Sequence, residues 1–284
     1  MKKASVVALC TAACLTLSAC GSTPAVDTPK QAPTAAVQTP APSPSDELEP
    51  SPTPEATSEP PQMSMLSEEN APARAAYGAA LKKLLDTGVL PDGTGDSGGY
   101  IGSIEDRERM AQNRFSVCDV DGDGREELIL LYTTTIVAGE RGFVYDWDEA
   151  TGELRKQLEE FPLLTFYDNG AVMAGWSHNQ GKGGSFWPYF LYQYLPETDS
   201  YQQVGAVDAW DKALGLEGYP DEVDASKTGF VYYITTEGDI TWDHPVDASQ
   251  YQAWLAPYLG EARELSIPYV ELTAEQIQML QTPG

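Results

Sequence analysis

The chain has 284 residues carrying 43 acidic against 17 basic side chains, a formal charge of −26 at neutral pH. Such a polyanion excludes nucleic acid as a ligand and makes divalent cations natural partners. With only two histidines and no His/Cys cluster, a zinc site is not expected either.

In chain order, Met1-Lys2-Lys3 opens an apolar stretch from Ala4 to Leu17, which reaches Leu17-Ser18-Ala19-Cys20-Gly21. A basic start, a short apolar segment and small residues before a cut predict an export signal over 1–19, too short for a stable membrane span. Leu-Ser-Ala-Cys resembles the lipobox of bacterial lipoproteins. That resemblance implies that Cys20 is lipidated, becomes the first residue of the mature protein, and holds it to the cell membrane on the extracytoplasmic face. The alternative is a secretory signal that happens to contain Cys20. Cys10 and Cys14 leave with the signal, so Cys118 stands alone and no intramolecular disulfide is expected. Lying in an apolar run, Cys118 reads as a small buried hydrophobe.

Residues 20–67 are the lipidated cysteine and a linker of Pro, Thr, Ser, Ala and Glu. This composition cannot bury enough apolar surface to offset chain entropy, and its prolines favour extended, solvated conformations, so a disordered tether is expected. At about 3.1 Å per residue it can reach on the order of 140 Å.

Residues 68–284 are expected to form one α+β domain. Asn70 to Asp86 predicts a packing helix, with Pro72 in the first turn, an apolar stripe of Tyr77, Ala80, Leu81, Leu84 and Leu85, and Gly88 as stop. Gly93 to Gly102 reads as turns, and Ile104 to Asn113 as a short charged helix anchored by Ile104 and Met110. Leu128 to Tyr132 is apolar at every position, which marks a strand covered on both faces. Phe143–Tyr145 with Leu154–Leu158, and Leu163–Tyr167 with Ala171–Trp176 around Asp168-Asn169-Gly170, predict hairpins. Phe186–Tyr194 and Tyr201–Val207 continue an antiparallel meander. Asp208–Leu214 reads as a short helix, and Phe230–Thr235 with Ile240–Trp242 as a further hairpin. Two helices close the chain: Ala248–Leu259, with Asp247 as cap and Gly260 as stop, and Ala274–Leu280, where Thr273 and Gln276 suit a capping box.

The stretch that organises this domain is Asp119-Val120-Asp121-Gly122-Asp123-Gly124-Arg125-Glu126-Glu127. In loop numbering Asp119, Asp121 and Asp123 take positions one, three and five. Gly124 permits a sharp turn at six, Arg125 offers its carbonyl at seven, and Glu127 supplies a carboxylate at nine. Clustered carboxylates repel one another, and a hard cation relieves that repulsion. Calcium is the expected ion, held at the affinity of an extracellular module, about 0.1–1 mM; the alternative is an acidic turn that holds no metal. Leu130 stands where an EF-hand needs a bidentate glutamate, and the flanks read as strands. The loop therefore resembles the strand-flanked loops of integrin-type propeller repeats. It is also similar to the Asp-(Ile/Val)-Asp-Gly-Asp-Gly-x-x-Glu-Leu stretch of Gram-positive surface lipoproteins, a resemblance that brings no catalytic residues with it. A fainter echo, Asp224-Ala225-Ser226-Lys227-Thr228-Gly229, is either a decayed second copy or a plain turn before a strand.

One more stretch stands out. Trp176 and Trp187 flank a polar, glycine-rich loop containing His178, Asn179 and Gln180, which can stack on a sugar and bond its hydroxyls; alternatively the tryptophans end core strands around a mobile loop. Catalysis has little to stand on, because no serine lies in a nucleophile elbow and Ser177 beside His178 is only adjacency in sequence. The expected role is a non-catalytic binding module for a glycan or a surface protein. The alternative is a carbohydrate-active or cell-wall hydrolase with a structural calcium ion.

Overall fold

The protein is described here by a computed structural model covering residues 68–95, 107–179 and 181–280. The export signal, Cys20, the tether and most of the glycine-rich segment before Arg107 lie outside the described residues, as do Ile104 and Gln180.

Helix α1 (Ala71–Thr87) carries Pro72 in its first turn and ends at Gly88, whose φ of 72° is the left-handed geometry glycine tolerates best. Asn70 occupies the N-cap position without a capping side-chain bond. A single turn, α2 (Arg107–Met110), precedes β1 (Arg114–Cys118), β2 (Glu127–Tyr132), β3 (Arg141–Asp148) and β4 (Glu153–Glu160). Next come β5 (Leu164–Phe166), β6 (Ala171–Gly175), β7 (Tyr189–Leu195), β8 (Ser200–Asp211) and β9 (Phe230–Thr235). The chain closes with β10 (Val246–Asp247), α3 (Ala248–Leu259), β11 (Val270–Glu271) and α4 (Ala274–Leu280). The class is α+β, as expected, but the strands divide into two antiparallel sheets rather than one meander. Their orders are β11-β1-β2-β3-β4 and β10-β9-β8-β7-β6-β5.

Strand alternation explains the layering. On β2, Leu128 and Leu130 point to a core shared with Tyr77, Leu81 and Leu84 of α1 and Ile277 of α4, while Ile129 points to a second core. That second core takes Val144 from the first sheet and Phe166 and Val172 from the second, so it is the seam between the sheets. Beyond the seam, Leu191 and Val207 of the second sheet pack on Tyr251 of α3. The apolar run of β2 is thus buried on both faces, which its sequence required. Helix α3 begins with a full capping box, Asp247 accepting from the helix start while Gln250 reaches back to the Asp247 N–H. It closes at Gly260 in a right-handed conformation, unlike the glycine stop of α1.

Two expected elements are corrected. Asp208–Asp211 continue β8 and pair with Tyr233 through Phe230 of β9, leaving only Lys212–Leu214 as a single 3-10 turn. The ladder to β9 outweighs the local helical tendency. Ile240–Trp242 form no strand, and β9 pairs instead with β10. Trp242 leaves the ladder to pack its ring 4.6 Å from that of Tyr233.

Candidate metal centre

The loop from Asp119 to Glu126 joins β1 to β2, and its own backbone shapes it. The Asp119 carboxylate accepts N–H groups from Gly122 at 2.7 Å and Gly124 at 3.1 Å. Asp121 Oδ1 accepts from the Asp123 N–H at 3.1 Å, and Glu127 Oε2 from the Val120 N–H at 2.9 Å. Gly122 and Gly124 adopt φ of 82° and 89°, which permits this tight coil.

Three carboxylates converge. Asp119, Asp121 and Glu127 each present an oxygen, all within 4.8 Å of one another. Oxygens ligating one calcium at about 2.3–2.6 Å lie at most roughly 5 Å apart, so this spread suits a single hard cation. Glu127 is 0% exposed and Asp121 8%, yet Glu127 Oε1 and Asp121 Oδ2 are buried without a hydrogen-bond partner. Buried polar atoms are normally satisfied, and a carboxylate oxygen left bare among other carboxylates is costly. The electrostatics record that cost: burial, reinforced by Asp121, pushes Glu127 up to about 10. Burial, reinforced by Asp123, pushes Asp121 up to about 7. These acidic groups can hold a metal ion.

Not every expected ligand is in that group. Asp123 lies apart from Asp119 and Glu127 and instead accepts from Arg125 Nε at 2.9 Å, grouping with Asp121 and Asp199. Arg125 enters as a guanidinium, bridging Asp123 at 2.8 Å, Asp199 at 3.0 Å and Asp146 at 3.7 Å. Its positive charge beside the second group makes Asp121, Asp123 and Asp199 the poorer cation site.

Residues distant in sequence complete the surroundings. Arg74 of α1 forms a bidentate pair with Glu126 at 2.5 Å per bond, with both side chains nearly buried. Tyr77 of α1 donates to the Glu126 carbonyl at 2.7 Å. Asp199, in the turn between β7 and β8, binds Arg125, Arg155, Gln157 and Tyr194. Burial opposes its charge, but Arg125, Tyr194 and Arg155 prevail and hold its carboxyl below the ordinary range. Gly170 of the β5–β6 turn is packed against the loop: a Cβ there would come within 3.2 Å of the Asp121 carbonyl and 3.1 Å of Tyr194 Cβ. Sequence reasoning missed Arg74, Asp146, Arg155 and Asp199, and no local pattern marks them.

The echo at 224–229 shares part of this geometry. Asp224 Oδ2 accepts from the Gly229 N–H at 3.0 Å, as Asp119 Oδ2 accepts from the glycine at the same offset. Its third position differs, because the Ser226 hydroxyl donates to Asp247 Oδ2 at 2.5 Å. Protein hydrogen bonds therefore close the second loop and tie it to the cap of α3.

The Trp176–Trp187 loop is held by its own contacts. Trp187 Nε1 donates to the Trp176 carbonyl at 2.7 Å, and Asn179 Nδ2 donates to the Phe186 carbonyl at 2.8 Å while its Oδ1 accepts from Gly181. Asn179 is thus a staple of the loop rather than a free ligand-binding amide. The Ser177 hydroxyl sits 2.9 Å from His178 Nδ1, with both residues exposed. Cys118 is partly buried beside Ser116, and burial pushes its thiol up to about 11, which suits a packing residue. Among the described residues no helix is long and apolar enough to cross a membrane. No family model, curated protein or solved structure matches the chain.

Proposed function

We propose that this protein is a lipid-anchored, extracytoplasmic binding module whose domain is fastened by a structural calcium ion at Asp119, Asp121 and Glu127. The observation that carries the reading is the Glu127 carboxylate, fully buried, with one oxygen unpartnered, in a group with two further carboxylates. A divalent cation neutralises that group, and its loop of alternating aspartates and glycine supplies oxygen ligands of the kind calcium prefers. Magnesium fits less well, because it demands compact octahedral geometry and gives up water reluctantly. The ion's role is structural: Asp121 and Glu127 are buried, and Val120 between the ligands packs into the inter-sheet seam, so the ion ties an exposed turn at Asp119 to the core.

Anchoring rests on the lipobox-like Leu17-Ser18-Ala19-Cys20 stretch and the proline-rich tether that follows it. The binding role rests on the aromatic surface around Trp176 and Trp187, the latter 47% exposed. Its ligand is a glycan or another surface protein. The test is calorimetric titration of the metal-free full chain with calcium and with magnesium, beside thermal unfolding in EDTA and in millimolar calcium. Binding of calcium with a rise in Tm, both lost in Asp121→Ala, supports the reading. Flat calcium isotherms with an unchanged Tm remove it.

A further inference from the structure

A groove of about 250 Å³ opens where the two sheets meet at the end remote in sequence from the acidic loop. Its lining comes from four separate places: Glu160 and Phe161 at the end of β4, Gly175 to Ser177 after β6, Phe190 on β7, and Asp239 in the turn after β9. Three aromatic side chains and two carboxylates face one small space, and no basic side chain lines it. We infer that this groove binds an alkylammonium group, primary or quaternary, carried by the module's ligand.

Three features support a cation over a neutral sugar. The first is the balance of donors and acceptors. Sugar hydroxyls need both, whereas Glu160 and Asp239 supply acceptors and only the Ser177 hydroxyl can donate. Trp176 Nε1, the one indole donor among the lining residues, is buried and closed to solvent. The second is the ring arrangement. Trp176 and Phe190 pack on each other with centroids 5.3 Å apart and planes inclined at 42°, so they do not make one flat platform. Tilted aromatic rings at the wall of a small groove attract a compact cation, while a flat ring suits a sugar plane.

The third is that the carboxylates are placed. Glu160 Oε1 receives the Tyr192 hydroxyl hydrogen bond, which fixes the carboxylate at the groove wall. The turn bearing Asp239 is pinned by Gln203 Nε2 donating to the Gly238 carbonyl at 2.7 Å. Arg141 pairs with Glu159 at 3.3 Å and does not line the groove, although its charge also reaches Glu160. A chain of formal charge −26 also draws cations toward itself. The volume matches an ammonium head group with a short stem rather than an extended ligand.

This inference rests on the reading of the domain as a binding module, and its test separates the two. The full chain, in saturating calcium and low salt, is titrated calorimetrically with choline and with dimethylbutanol, the neutral carbon isostere of choline. Choline is expected to bind at least tenfold more tightly than the isostere. Glu160→Gln, Asp239→Asn and Trp176→Ala are each expected to weaken choline about five- to tenfold. Asp239 is exposed on a turn, so Asp239→Asn keeps the test decisive should Trp176→Ala fail to fold. Equal binding of choline and its isostere, no choline binding, or unchanged choline affinity in Asp239→Asn overturns the ammonium site. A glycan or protein that binds elsewhere on the domain leaves the binding module standing while the ammonium site falls. A screen that finds no ligand of any class removes both.

Discussion

Replacing Glu127 by glutamine tests the central electrostatic claim. In the metal-free protein the carboxyl titrates near 4.5 when unfolded and about 10 when folded. Between those values the folded state holds a proton that the unfolded state has released, so stability falls as pH rises through that window. At pH 7 the window is open by 2.5 pH units, which corresponds to about 3 kcal/mol lost from the metal-free fold. An amide stays neutral throughout and can still accept the Val120 N–H, so Glu127→Gln in EDTA should be more stable than wild type at pH 7 and above. Its pH slope should also be shallower, the remaining slope coming mainly from Asp121. In the proposed reading calcium should reverse the order. At about 10 mM calcium a site of 0.1–1 mM affinity stabilises wild type by about 1–3 kcal/mol, or roughly 3–10 °C in Tm for a domain of this size. The variant should gain little, and the wild-type gain should grow with pH as binding releases the proton. Urea denaturation at pH 5.5, 7 and 8.5, in EDTA and in calcium, measures all of this. Identical pH slopes for the two proteins in EDTA, or equal calcium stabilisation, would refute the reasoning.

Three further outcomes are expected. Glu126→Gln strips the buried Arg74 guanidinium of its carboxylate and should cost about 3–5 kcal/mol in urea denaturation, whereas the double variant Arg74→Met/Glu126→Leu should recover most of that loss. Gly170→Ala places a Cβ against the Asp121 carbonyl at a φ of 75°; it should cost about 1–3 kcal/mol and weaken calcium binding measured by calorimetry. Asp199, held below the ordinary carboxylate range, adds stability above pH 4 that is lost as pH falls through its folded pKa; Asp199→Asn should therefore flatten the acid limb of the stability curve.

Elements governed by short-range rules were legible in the sequence. Asp168-Asn169-Gly170 encodes its hairpin because glycine alone takes the required backbone angle cheaply. Asp247 encodes the start of α3 by capping free N–H groups, and the structure adds Gln250 as the reciprocal half of the box. The five-residue apolar run of β2 announced burial on both faces. What the sequence did not reveal is pairing between distant parts. Nothing near Asp208 indicates that it continues a strand, since that depends on β9 lying alongside. The division into two sheets was hidden for the same reason. At the metal centre Asp119, Asp121 and Glu127 were legible as a spaced set of oxygens. The arrival of Arg74 and Asp199 depends on contacts across 52 and 74 positions of chain, whereas the diversion of Asp123 to Arg125 is a local contact two residues on that the oxygen spacing does not reveal.

The two loops share one hydrogen-bond pattern but close in different ways. The stretch at 224–229 is shut by a serine hydroxyl and a carboxylate that the chain always has with it. The stretch at 119–127 lacks that internal bolt, and in the proposed reading it is shut only where the surroundings supply the ion. In that reading, one acidic turn of this chain is a permanent fastening and the other a conditional one. A protein built so can be pliant while it is being delivered and stiff after it arrives.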